Sequence, residues 1–533
     1  MTLTAMETSA TRPSVSTGPT GLSKSRHWGP ALCLTLLSIA YLVPACMHAA
    51  KEKLWYDEIW TLDAATLLPS LRALWSFLKQ GLELNPPLGF ILTAASESIF
   101  GRNEFGARFP SIVEFWIMSL CLYVYLRRRL PQSFAIVGML LPVMTAAGRY
   151  SYEARPYALA LALAGIALVA WQAATEGRGR RVALVAIALA LAAALCSLTF
   201  AVTLALPFLA GEITRTVQRK RVDWPVWCAF ASATPAVLVL WKLKTVGNAA
   251  AYMRFNKSLS WHIVTTYMEM LGPAIAPLGL AFLLLLVLRT QGAGTAKRAP
   301  GMQAYELAAL VGFALIPFAA VPISTLGGQY FLRYSLNCTI GLAGLLAALL
   351  FHIGGTTRLA GACVLVVCGV SFMIGQFCPE EKRADFGLKV VNTSEKIQQS
   401  LERMPSDAPI VIGPPMTFVE LEHYSSPGLA ARLYYLTDPA AAAAIDGNIL
   451  FDVKTPQIAR FFPFRAHYED YHSFIAAHKR FYVVQPVRNI AREHSLGRLS
   501  LQARETADRF QYYEANAPAD GSGVPAVRGA SAM

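Results

Sequence analysis

Residues 28–50 read WGPALCLTLLSIAYLVPACMHAA, 23 consecutive positions without an Asp, Glu, Lys or Arg. A helix of about 20 apolar residues crosses the hydrocarbon core of a bilayer, and an ordinary signal-peptide core is shorter. The stretch therefore reads as a retained transmembrane helix. Blocks of similar character recur at 157–174, 304–324 and 360–378. Over all 533 residues, 55% are hydrophobic and only 15% are charged, against about 25% charged in soluble domains. Mean hydropathy is +0.42. These values exclude a soluble enzyme, a disordered regulator and a coiled coil. The chain is a polytopic membrane protein.

The net charge of +14 does not mark a nucleic-acid binder, because the basic residues sit in short runs between apolar blocks. Such runs fix topology. They occur at Arg127–Arg129, Gly177–Arg181, Arg215–Arg221, Arg289–Arg298 and Arg358. All fall on the cytoplasmic side if Pro86–Phe100, short and carrying Ser96, Glu97 and Ser98, lies at the outer interface instead of crossing. The expected spans are then 28–50, 107–126, 133–148, 157–175, 182–197, 198–213, 224–243, 267–288, 304–324, 334–353 and 360–378. That gives about eleven helices with the N-terminus inside and the C-terminus outside. Nine cysteines, all in or beside apolar blocks, form neither a disulfide framework nor a zinc spacing.

Residues 1–27, rich in Ser, Thr and Gly, read as a disordered cytoplasmic tail, and 28–378 as the transmembrane domain with a first outer loop at 51–106. From 379 to 514 the pattern changes to short strands alternating with helices, the signature of a small extracytoplasmic α/β domain. An amphipathic helix is expected at 392–404, strands at 409–413, 433–437 and 480–485, and a helix at 416–424. Residues 515–533 read as a disordered tail.

Chemistry-bearing residues collect at one expected membrane face. The first outer loop opens on Leu54-Trp55-Tyr56-Asp57-Glu58-Ile59-Trp60. Asn85-Pro86-Pro87-Leu88 follows, and then a run from Phe100 to Ser111 containing Glu104, Phe105 and Arg108. The second outer loop is Arg149-Tyr150-Ser151-Tyr152-Glu153-Ala154-Arg155-Pro156-Tyr157, and Gln329–Tyr334 closes the set. Adjacent acids at a helix start also complement the helix dipole, so the Asp-Glu pair alone is not specific. The ordered set is.

That ordered set resembles the GT-C superfamily of membrane glycosyltransferases, most nearly the RgtA/B/C/D-like branch related to lipid A aminoarabinose transferase and the protein O-mannosyltransferases. The matching elements are the Asp-Glu pair after the first helix, Pro-Pro-Leu, the Phe-Gly…Glu-Phe…Arg-x-Pro-Ser run, Ala-Arg-Pro-Tyr and a late Arg-Tyr. They cover roughly 28–160, with a weaker match at 330–335. Where many relatives carry His before Pro-Pro, this chain has Asn85. The resemblance implies a polyprenyl-phosphate-sugar donor, a lipid, polysaccharide or protein acceptor, and the bacterial inner membrane.

The residues suit that chemistry. A phosphate leaves the anomeric carbon without needing an acid, so the site requires a base for the acceptor hydroxyl and cations for the phosphate. Asp57 is the expected base and Glu153 the second catalytic carboxylate, with Arg155 as the alternative partner for Glu153. Arg333 is the preferred phosphate ligand and Arg155 the second. Glu58, Arg108, Tyr157 and Tyr334 complete the expected substrate- and phosphate-binding set, with helix capping for Glu58 and interfacial anchoring for Arg108 as the bland alternatives. A divalent metal at Asp57 and Glu153 is compatible with the residues but not demanded. The basic outer loop 242–262, with Lys242, Lys244, Arg254 and Lys257, suits either a lipid phosphate or anionic headgroups. The rival readings are a lipid transporter or flippase, which should show internal repeats and midplane charges, and an O-antigen-ligase-like enzyme, which lacks the Asp-Glu pair.

Overall fold

The computed structural model describes residues 28–83, 85–238, 259–290, 301–326, 330–377, 397–405, 408–445, 449–485, 489–507 and 510–516. The expected N-terminal tail, the four basic residues of the 242–262 loop, and 517–533 lie outside the described residues. Apolar runs become α1 (Trp28–Lys51), α5 (Glu104–Arg127), α6 (Gln132–Met144), α7 (Tyr157–Thr175), α8 (Arg180–Ser197), α9 (Ala205–Arg219) and α10 (Trp224–Ala231). They continue as α11 (Leu259–Thr290), α12 (Ala304–Ala314), α13 (Ile316–Leu326), α14 (Cys338–Gly354) and α15 (Arg358–Phe377). Between α1 and α5 the first loop folds into α2 (Tyr56–Ala65), α3 (Leu71–Lys79) and α4 (Leu88–Phe100).

Among the described residues, eight helices are long and apolar enough to cross a membrane, and nine if one bent pair counts as a single span. Two of the eleven expected spans appear as shorter apolar helices, Trp224–Leu238 and Cys338–Gly354. The expected interfacial helix is α4, 13 residues long. The third expected span breaks at Thr145, where α6 turns by 75° into a 3₁₀ helix, Ala146–Tyr152. Thr145 is extended and its side chain accepts a hydrogen bond from Ala147 N–H. Pro142, just before it, cannot donate to the helical ladder. Close packing relies on small residues: a Cβ on Gly341 of α14 would lie 2.3 Å from backbone atoms of Leu310 and Ala314 in α12.

The C-terminal part forms a six-stranded sheet in the order β3-β2-β1-β4-β6-β5. The strands are β1 (Ile410–Ile412), β2 (Leu433–Thr437), β3 (His467–Asp470), β4 (Arg480–Val484), β5 (Ser500–Ala507) and β6 (Phe510–Asn516). The first four are mutually parallel and the last pair antiparallel. Parallel strands need crossovers, here α16 (Pro415–Tyr424), α17 (Pro427–Ala430), α18 (Pro439–Ile445), α19 (Leu450–Ile458) and α20 (Tyr471–Ala477). The expected strands at 409–413, 433–437 and 480–485 and the helix at 416–424 are present, whereas β3, β5 and β6 were not anticipated. Strand β6 carries order two residues past the expected end at 514. The buried face of the expected 392–404 helix is there in Ile397 and Leu401, while 392–396 lie outside the described residues.

One apolar cluster joins this domain to the first loop. Leu54, Ile59 and Leu62 pack with Ile410, Phe418, Leu421 and Leu433. The turn carrying the acidic pair is thus wedged between the helical bundle and the sheet.

Candidate active site

The chain leaves α1 at Lys51 and re-enters a helix at Tyr56. Trp55 is extended, and the Glu58 side chain accepts a hydrogen bond from Trp55 N–H at 3.2 Å, closing the first turn of α2. Glu58 goes further. Its carboxylate accepts from Arg108 Nε and Nη2 at 2.7 and 2.6 Å, and from Ala154 N–H at 2.7 Å. The remaining Arg108 hydrogens reach the carbonyls of Ala49, Glu52 and Lys53 at 3.2, 2.6 and 2.9 Å. These carbonyls lie at or just beyond the end of α1, where helical partners run out.

All five Arg108 donors are therefore used within the protein. For Glu58 or Arg108 to serve as the expected substrate or phosphate ligand, one of these bonds would have to open, because neither has capacity left over. Nor is Arg108 an interfacial anchor, being 3% exposed. The pair ties α1, α2, α5 and the second loop together.

Asp57 points elsewhere. Its Oδ2 lies 3.3 Å from Arg333 Nη2. Arg333 sits in the 3₁₀ turn Leu332–Ser335, its guanidinium 4.2 Å from the Phe331 ring centroid, 5.7 Å from Trp55 and 6.0 Å from Tyr157. The next residue, Tyr334, stacks on Phe200 at 4.0 Å. Asp57 Oδ2, Glu153 Oε1, Arg155 Nε and Arg333 Nε are all buried without a hydrogen-bond partner. Such atoms are costly unless something meets them. Four lie in one charged cluster, where a polar ligand could meet them.

Arg155 pairs with Glu83 and not with Glu153. Its Nη1 donates to Glu83 Oε2 at 3.1 Å, to Thr61 Oγ1 at 3.1 Å and to the Asp57 carbonyl at 3.2 Å. Glu83 also accepts from the Asn85 backbone and side-chain amides, at 3.1 and 2.9 Å. Two motifs thus meet around one arginine. Pro156 crowds the Pro-Pro-Leu segment, where a Cβ on Gly89 would come within 3.1 Å of it. Glu83 escaped the sequence reading because a single Glu in a polar loop has no spacing signature. Trp55 and Tyr56, which lie beside Arg333, carry no such signature either.

Burial, together with the nearby carboxylates of Glu58 and Asp57, pushes Glu153 up to about 8, while Arg333 and Arg155 pull the other way. At neutral pH Glu153 holds a proton and can donate a hydrogen bond. No group of three or more His, Cys, Asp or Glu among the described residues could hold a metal ion. Asp57 and Glu153 are two carboxylates, fewer than the three protein ligands of an ordinary metal site, and Asp57 faces the Arg333 guanidinium.

A family model described as dolichyl-phosphate-mannose-protein mannosyltransferase matches residues 85–242, which include Arg108, Glu153, Arg155 and Tyr157. Over those residues the chain is similar to that family. The match extends into the middle of the chain, where the sequence itself shows only hydrophobic pattern. Two solved structures share the fold. The apo crystal structure of ArnT from Cupriavidus metallidurans aligns with a TM-score of 0.56 at 13% identity, covering 91% of this chain and 98% of that one. The same protein bound to undecaprenyl phosphate aligns at 0.54, with the same identity and coverage. No curated protein matches this chain by sequence.

Proposed function

We propose that this protein is a glycosyltransferase that moves a sugar from a polyprenyl-phosphate donor to a lipid, polysaccharide or protein acceptor, at the extracytoplasmic face of the bacterial inner membrane. The observation that carries the reading is the Asp57–Arg333 pair, a carboxylate and a guanidinium 3.3 Å apart, each with a buried atom left without a hydrogen bond. A base and an anion ligand side by side are what phosphate displacement from an anomeric carbon requires. The fold shared with a structure that holds undecaprenyl phosphate supports the donor class.

In the proposed step the acceptor oxygen attacks the anomeric carbon from the face opposite the phosphate. The carbon–oxygen bond to phosphate breaks, and the electron pair leaves with the polyprenyl phosphate. The hydroxyl proton passes to Asp57. One displacement inverts the anomeric centre. Arg333 neutralises charge on the departing phosphate, its guanidinium held by the aromatic rings around it. Arg155 is the second cation, and protonated Glu153 donates a hydrogen bond to the phosphate or the sugar. Tyr157 and Tyr334 line the Arg333 side, and Glu58 and Arg108 hold the frame.

Membranes containing wild type or Asp57→Asn, at equal abundance, should be given a panel of radiolabelled polyprenyl-phosphate sugars. Wild type should transfer label to lipid, glycan or protein, and the variant should lose at least about 100-fold. Full transfer by the variant would remove Asp57 as base. Lipid movement without transfer from any donor would favour a flippase.

A further inference from the structure

The first turn of α2 is gripped from the C-terminal domain. Helix α16 lies across it. Glu420, 1% exposed, lies against the Tyr56 backbone, at the first residue of α2. One of its oxygens, Oε2, is buried without a partner. One helical turn along, Tyr424 Oη accepts a hydrogen bond from Leu54 N–H at 2.5 Å and donates to Glu104 Oε1 at 3.1 Å. Both backbone groups stand where a helix start has no acceptor of its own. The Tyr56 side chain in turn lies close to the Arg333 guanidinium. Phe451 of α19 packs against the Tyr56 and Trp60 rings. Lys454, also of α19, donates to the Gly81 carbonyl, two residues before Glu83.

We propose that Glu420 is a positioning residue for the transfer reaction, fixing from the C-terminal domain the first turn of α2 and with it the aim of Asp57 at Arg333. The proposal rests on the function above for its kinetic consequence and on geometry alone for its structural one. Tyr56 is the shared link. Its backbone meets Glu420 and its side chain meets Arg333, so a shift of this one residue moves the base and the phosphate ligand together. Misplacing a catalytic group by about 1 Å can cost on the order of 100-fold in rate. Burial, with Glu58 nearby, raises Glu420 to about 8, so it is neutral at pH 7. A glutamine, which keeps an acceptor oxygen and no charge, should replace it.

The test uses the full chain in lipid nanodiscs, comparing wild type with Glu420→Gln, Glu420→Ala and Tyr424→Phe. Steady-state transfer gives kcat and the donor KM, and amide hydrogen exchange is followed over 52–62 and over the spans. Glu420→Ala should lower kcat about 10- to 100-fold with the donor KM within about twofold. It should speed exchange about tenfold over 52–62 and leave the spans unchanged. Glu420→Gln should keep at least about half the wild-type kcat. Tyr424→Phe, which leaves Leu54 N–H without its acceptor, should speed exchange over the same segment.

Wild-type kcat and exchange in Glu420→Ala would overturn the proposal. So would loss in Glu420→Gln as deep as in Glu420→Ala, which would make the carboxyl chemical and not positional. Faster exchange throughout the chain would reduce Glu420 to a general stabiliser. If wild type transfers from no donor, the functional reading fails by itself, and exchange over 52–62 still decides whether Glu420 holds the turn.

Discussion

Glu153 and Asp57 sit in one cluster but meet different surroundings. Asp57 faces a guanidinium at 3.3 Å. Glu153 is buried among Glu58, Asp57, Arg333 and Arg155, with one oxygen unpartnered, and is raised to about 8. Ionising it as the pH climbs through about 8 would set a negative charge beside the proposed phosphate site, so transfer should fall on the alkaline side. Glu153→Gln should abolish that fall while leaving the acidic limb in place, which a kcat/KM profile from about pH 6 to 10 would read. The stability term has the same sign. A raised carboxyl favours the folded state in full below its ordinary value of 4.5, and that contribution is lost as the pH rises to about 8. Asp57, Arg155 and Arg333 stood out in the sequence because they belong to an ordered set of motifs. Glu83, Glu420 and Lys454 did not, because each acts through one long-range contact that no local pattern encodes.

Helices and strands were legible to different degrees for physical reasons. Uninterrupted apolar runs announced the spans, whereas the break at Thr145 had only Pro142 and Gly148 to hint at it. Strand β3, exposed at both ends and only four residues long, lacks apolar alternation. On the face opposite the site, the basic runs that indicated topology have a second use. Arg129, at the end of α5, donates to Glu306 Oε1 and Oε2 at 3.0 and 2.8 Å through Nε. Gln172 of α7 donates to the same carboxylate at 2.9 Å, and Glu306 closes the first turn of α12. A second cluster joins Arg215, Glu212, Asp223 and Trp171. Glu306 is fully buried, and removing one partner of a buried pair costs about 3–5 kcal/mol. Glu306→Gln should therefore lower the thermal unfolding temperature in detergent while leaving kcat per folded molecule unchanged.

At the scale of the whole molecule, the site is assembled from parts far apart in the chain. The first loop supplies Asp57, the second supplies Glu153 and Arg155, a turn before α14 supplies Arg333, and the C-terminal domain grips the first loop. Helix α11, which reaches the segment that carries Arg333, is 32 residues long, or about 48 Å at 1.5 Å per residue. That exceeds a hydrocarbon core of about 30 Å, so the helix must tilt or protrude, by an amount the lipid sets. Near its beginning, Thr266 Oγ1 shares a hydrogen bond with Tyr330 Oη at 2.7 Å, three residues before Arg333. Tyr267 Oη also donates to the Ala314 carbonyl at 2.6 Å. Bilayer thickness would thereby gain a mechanical handle on Arg333, the proposed phosphate ligand. Transfer rates in nanodiscs of graded acyl length should pass through an optimum, and Thr266→Val should flatten it.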